Sequence, residues 1–201
     1  MGQYYNILTF KNNKFKIYDR SVKQTENGKS EYMLAKLTEH SWIGNSTMVS
    51  FSNLIYKNPT KLAWVGDYAD ETKNNDITNP SLDLKTIKNL HEKAWKTKRE
   101  LSLIYKQFNT ESMLLVNWDK KLFVNMKEYI KQNDVNGWCL HPLSLLTAIG
   151  NGFGGGDYYS INKEEIGTWA FDTISFEDKE QEESLLEQNF EKAHYEFKEN
   201  Y

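Results

Sequence analysis

Cysteine is almost missing from this chain. Cys139 stands alone among 201 residues, which excludes an internal disulfide and a zinc site built from several thiolates. Set between Trp138 and Leu140, it reads as a small buried hydrophobe rather than a reactive thiol. An apolar run long enough for a membrane span, roughly 20 residues, is lacking too. The opening "MGQYYNILTF" has none of the basic-then-apolar layout of a secretory signal. Asn6 breaks the myristoylation pattern that Gly2 would start. The expected setting is the cytosol.

Basic charge is not in excess. Twenty-five Lys and Arg face 28 Asp and Glu, a formal net charge of −3, which argues against a non-specific nucleic-acid binder. Metal-ligand spacings such as H-x-x-x-H, the Walker lysine and the G-x-S-x-G elbow are all absent, and no motif identifies a cofactor or a metal.

What is abundant is aromatic. Six Trp, twelve Tyr and ten Phe predict an aromatic-rich core under a polar coat. At this length the folded chain buries roughly 70% of the surface exposed on unfolding, enough to need no staples. "YYNILTF" and "FKIY", separated by "KNNK", predict a hairpin, and "SMLLVNWDKKLFVNM" predicts another. Met48, Phe51, Leu54 and Ile55 fall at helical spacing, with Asn45 or Ser46 as cap and Asn58-Pro59 as stop. "KLAWVGDY" reads as a strand, Glu31 to Leu37 as a short helix, and Leu84 to Tyr105 as a long amphipathic helix with a basic face. Pro142 suits the first turn of a helix running to Ala148, with Gly150 as its C-cap. "IGTWAFDTISF" alternates as a strand does. The expected fold is α+β, with a largely antiparallel sheet and flanking helices. A single domain over residues 1–179 would be followed by an acidic amphipathic helix over 180–201, docked on the body or on a partner.

Five of the eleven glycines lie between positions 150 and 156. Gly150, Gly152 and Gly155 match G-x-G-x-x-G literally, but the dinucleotide fingerprint needs a strand before the glycines and a helix after them. Here a predicted helix precedes them, so a guest would meet carbonyl oxygens before amides. Two readings remain: a corner that needs positive φ and close backbone approach, or a ligand loop formed by Asn151, Gly152, Gly154, Gly155 and Gly156 with Tyr68. Carboxylates and imidazoles supply the other candidates. His40, Asp67, Asp70, His141 and Asp157 would form a small acid–base or hydrolytic site if the fold brought them together. Each has a plainer role open to it, as a cap, a turn residue or a solvated side chain.

The blocks "MGQYYNIL", "KLTEHSWIGN", "WVGDYADE" and "HPLSLLTAIGNGFGGGDYY…IGTWAFDTISF" together resemble a family of bacterial proteins that begin Met-Gly-Gln-Tyr-Tyr and occur on phages and other mobile elements. The resemblance covers most of the chain, up to the acidic C-terminal segment. It brings no established activity. It implies an accessory role, acting by binding a host protein, for example to inhibit a defence system such as CRISPR. The family usually carries a basic residue where this chain has Phe153, a departure that tells against phosphate binding. The alternative, from a different class, is a small enzyme acting on a nucleotide or RNA through the His/Asp set. A third reading treats every glycine and carboxylate as fold punctuation, with oligomer building as the role.

Overall fold

A computed structural model describes residues 2–11, 14–23, 31–32, 36–69, 100–102 and 108–198. The two predicted hairpins are present. β1 (Tyr5–Lys11) turns back on β2 (Lys14–Lys23), with Ile7 opposite Tyr18. β6 (Met113–Asn117) turns back on β7 (Leu122–Asn125) through a bend at which Lys121 takes φ +54°. Between the hairpins lie β4 (Thr60–Gly66), on the free edge of β1, and β9 (Thr173–Asp178), which joins β4 to β6. Short strands complete the sheet: β3 (Glu31–Tyr32), β5 (Glu100–Ser102), β8 (Ala148–Ile149) and β10 (Glu191–Lys192). The order is β10-β7-β6-β9-β4-β1-β2-β3, with β5 also on β2 and β8 also on β4. Between the named strands pairing is parallel at β2–β5, β4–β8 and β7–β10 and antiparallel otherwise. The fold is α+β with a mostly antiparallel sheet, as expected.

The period of two along each strand sorts side chains to two faces. Tyr5 and Ile7 of β1, Leu62 and Trp64 of β4, Leu115 of β6, Val124 of β7, and Ile174 and Phe176 of β9 join one core. Their neighbours Leu8, Ala63 and Val65 form a second cluster on the other face, and Leu114, Val116 and Phe123 a third. Burial of β4 on both sides explains its uninterrupted run "LAWV". Helices α1 (Ser46–Leu54), α2 (Met126–Asn133) and α3 (Pro142–Leu146) contribute Met48, Phe51, Met126, Tyr129, Leu143 and Leu145 to the main core. The Asn45 side chain caps α1 by accepting the Thr47 N–H at 3.0 Å.

Four expectations are corrected. Glu31 and Tyr32 are strand rather than the start of a helix. Of the long helix expected from Leu84 to Tyr105, Glu100–Ser102 is strand β5 and the remainder lies outside the described residues. α3 stops at Leu146 because β4 captures the next three residues. The Trp64 N–H donates to the Thr147 carbonyl at 2.9 Å, and Ala148–Ile149 becomes β8. Trp169 and Phe171 do not alternate in a strand. Their N–H groups donate to Leu146 and Leu62 carbonyls, and Phe171 takes φ +64°.

The C-terminal helix is present but brief: α4 spans Glu182–Glu187. Beyond it the chain runs extended and docks on the body. Tyr195 and Phe197 lie on one side two residues apart, stacked at 5.8 Å, with Tyr158 edge-on to Phe197 at 5.6 Å. Buried Asn133 clamps this segment, donating to the Tyr195 carbonyl at 3.0 Å and accepting the Phe197 N–H at 2.7 Å. Leu186, the apolar residue of α4 that faces out, is 49% exposed. Phe197→Ala should therefore cost about 3–5 kcal/mol of stability, a buried aromatic truncation. Leu186→Ala should stay within about 0.5 kcal/mol. Urea unfolding of the two variants checks the contrast.

Candidate functional site

The sheet brings three separated stretches to one point, and a glutamine fills it. Gln3 is fully buried. Three glycines line its socket. A Cβ on Gly154 would stand 2.3 Å from Gln3 Cβ, and one on Gly66 2.3 Å from Gln3 Oε1. One on Gly150 would stand 2.8 Å from the same oxygen. Gly150 also holds φ +102°, which a side chain rarely adopts. The backbone is tied in as well, with the Gln3 N–H donating to the Gly155 carbonyl at 3.1 Å.

The Gln3 side chain then satisfies both sides of its amide. Its Oε1 accepts the Tyr68 N–H at 3.1 Å. Its Nε2 donates to the Gly150 carbonyl at 2.6 Å, to the Tyr5 hydroxyl at 2.9 Å and to Asp157 at 2.9 Å. Asp157, only 4% exposed, is the second hub. Its Oδ2 accepts N–H groups from Gly152 (2.9 Å), Phe153 (3.0 Å) and Gly154 (2.9 Å), and its Oδ1 accepts the Tyr5 hydroxyl at 2.8 Å. Successive amides converging on one oxygen form an anion-binding concavity. Here the anion is the chain's own. The expectation that a guest would meet carbonyls first is thus reversed: the amides of the glycine turn point inward, and Asp157 holds them.

Other braces set the loop. Asn151 bonds Tyr158 through both its donor and its acceptor, at 2.9 and 2.8 Å. The Gly156 carbonyl accepts the Thr38 N–H at 3.0 Å, and Gly155 pairs with Gly2. The aliphatic stem of Lys36 lies against Gly156, while its Nζ pairs with Glu39 at 2.6 Å. Asp67 enters from the end of β4, accepting the Tyr4 N–H at 3.0 Å. Burial, with Asp157 alongside, pushes the Tyr5 phenol far above its ordinary range, so it serves as a donor and not as a base.

Of the residues singled out in the sequence, Asp67, Tyr68, Asn151, Gly152, Gly154, Gly155, Gly156 and Asp157 thus share one neighbourhood. His141 has other partners. It caps α3, with Nδ1 accepting the Leu143 N–H at 3.2 Å, so the proton sits on Nε2, 3.5 Å from Ser52 Oγ. That tautomer cannot take a proton from Ser52. Burial alone pushes the His141 imidazole down to about 3, and no carboxylate contributes. His40 lies in the turn at 37–40; burial lowers its imidazole, with Glu39 and Lys36 beside it. Asp70 lies outside the described residues. Burial pushes the Cys139 thiol up to about 12, consistent with an unreactive core residue. Among the described residues no group of three or more His, Cys, Asp or Glu is placed to hold a metal ion, and no helix is long and apolar enough to cross a membrane.

Gln3 and Tyr5, the centre of the network, carry no signal as single residues. The hint lies in the glycines: Gly66 directly precedes Asp67 and Gly150 comes after a buried run, each where a backbone must come close. Comparison with protein-family models, with curated proteins and with solved structures gives no match.

The glycines differ in what a side chain would meet. Gly152 (φ +100°) has nothing within 4 Å of an added Cβ, so Gly152→Ala should cost about 1 kcal/mol from backbone strain. Gly154→Ala, which drives a Cβ into Gln3, should cost several-fold more or prevent folding, as thermal melts of the pair would show. His141 adds a pH dependence. It is neutral in the folded chain and takes a proton near 6.5 when unfolded, so the unfolded state binds more protons below that value. Stability should fall as pH drops from about 6.5 toward 3, with a slope from this group approaching about 1.4 kcal/mol per pH unit. His141→Asn retains a capping side chain and should flatten the slope between about pH 6.5 and 5, above most carboxylate titration. Urea midpoints across that range measure it.

Proposed function

We propose that this chain acts by binding a protein, and that the glycine loop presents the contact surface. The observation that carries this reading is the pairing of a fixed backbone with exposed apolar side chains. Phe153, Tyr159 and Ile161 are 39%, 63% and 44% exposed on the segment that Asp157, Asn151 and Gln3 brace from within. The Tyr159 hydroxyl donates to the Gly154 carbonyl at 3.1 Å, which sets its ring beside the turn. Aromatic side chains on a preorganised loop lose little freedom on association, and such residues dominate binding energy at protein interfaces.

The acid–base groups support binding over catalysis. His141 is spent on a helix cap, Asp157 on three amides, and Tyr5 on Asp157. With the resemblance to proteins of phages and mobile elements, the proposed partner is a host protein and the proposed role is accessory, such as inhibiting a defence system of the CRISPR kind. Phe153, where that family usually has a basic residue, then gives this chain an apolar contact of its own.

Truncation after residue 179 would be a poor test, since it removes the buried Leu185, Phe190, Tyr195 and Phe197. The paired substitution Phe153→Ala/Ile161→Ala removes only exposed apolar side chains and leaves the Tyr159 bond to the Gly154 carbonyl in place. A partner recovered from the native host should bind the double variant about 30-fold or more weakly, the size of a hot-spot loss, while its Tm stays close to that of the parent chain. A well-folded double variant with undiminished affinity refutes the assigned surface.

A further inference from the structure

We propose that the turn at residues 152–154 is an oxyanion site occupied by the chain's own carboxylate, and that emptying it through Asp157→Ala leaves a binding site for a small monocarboxylate such as formate or acetate. The site is independent of the protein-binding reading above.

The donors define it. Three N–H groups, of Gly152, Phe153 and Gly154, lie 2.9–3.0 Å from Oδ2, and the Tyr5 hydroxyl lies 2.8 Å from Oδ1. Gln3 Nε2 spans both oxygens, at 3.1 and 2.9 Å. Gln3 and Tyr5 are each fully buried. No lysine or arginine is among these partners, so neutral dipoles alone surround the charge. Their arrangement matches a flat two-oxygen group: one oxygen faces the amide turn, the other the phenol.

Removing the carboxylate strands these donors, and a buried donor left unmade is costly. The walls cannot close over the gap, because the Gly154 and Gly150 backbones already touch Gln3 with no room for a methyl group. Formate has the size and charge of the deleted group. Gly152 and Phe153, both exposed, put the turn at the surface where a small anion can reach it. In the parent chain the site is full, so an added anion has nowhere to bind.

The test is thermal unfolding of the parent chain, Asp157→Ala and Asp157→Asn during a sodium formate titration, with sodium chloride holding ionic strength constant. Formamide serves as the uncharged probe. The alanine variant should melt well below the parent and recover on the order of 3–5 °C at ten times the formate dissociation constant. The parent should not respond, and formamide should do nothing. The asparagine variant fills the same volume but turns an NH2 toward donors, so it should be destabilised and formate-insensitive. Asp157→Asn as stable as the parent would overturn the proposal. So would an alanine variant that responds to formate no more than to chloride, or that stays unfolded at every formate concentration.

Discussion

A buried carboxylate held by neutral donors is the constraint around which this fold is arranged. Asp157 is 4% exposed, and its hydrogen bonds come from amides, a carboxamide and a phenol. A buried charge held in this way is tolerable only if its lone pairs find donors. The chain meets that demand with three consecutive amides, which requires the turn at 152–154, and with Gln3, which requires the socket. Gly66, Gly150 and Gly154 answer to it: each is where another atom would strike Gln3. The short β8, the close run of residues 2–4 along Gly155 and the Asp67 contact with Tyr4 fit the same arrangement.

The glycine loop departs from both plain readings of its composition. The amides of Gly152, Phe153 and Gly154 are not turned outward but taken by Asp157. Nor is the loop a bare corner, since the hydrogen bonds of Asn151, Asp157 and Tyr159 hold it in one shape. A loop rich in glycine usually loses order readily; this one offsets that entropy with internal bonds to its own side chains. The result is a surface of fixed outline from which Phe153 and Tyr159 emerge.

The strands and the caps were legible because their determinants are local. Alternation in "YYNILTF" and "MLLVN" sets the hairpins, Asn45 caps α1, and Pro142 after His141 starts α3. Elsewhere distant contacts decide. The Glu-rich tail favours helix by propensity, yet Tyr195 and Phe197 have their best burial two residues apart on an extended chain clamped by Asn133. Ala148 and Ile149 look like the end of a helix until β4 offers them a ladder. The candidate site was half legible: Asp67, Tyr68, Asp157 and the loop glycines gather as a group, but the organising Gln3 looks like any other polar residue. His141 does stand at a helix start, and its partners, Leu143 and Ser52 rather than Asp157, are set by the fold and not by the local sequence.

The bond between Gln3 and Asp157 spans 154 positions of the chain. A polypeptide leaving the ribosome displays the β1–β2 hairpin long before the residues that lock it are made. The other edge of β1 waits for Lys61 to Gly66 of β4, and Gln3 waits longer still, for Asp157. Non-local closure of this kind slows folding and leaves strand edges open to misplaced pairing. Only once residues 150–157 are made can Gln3 and Tyr5 close their hydrogen bonds to Asp157.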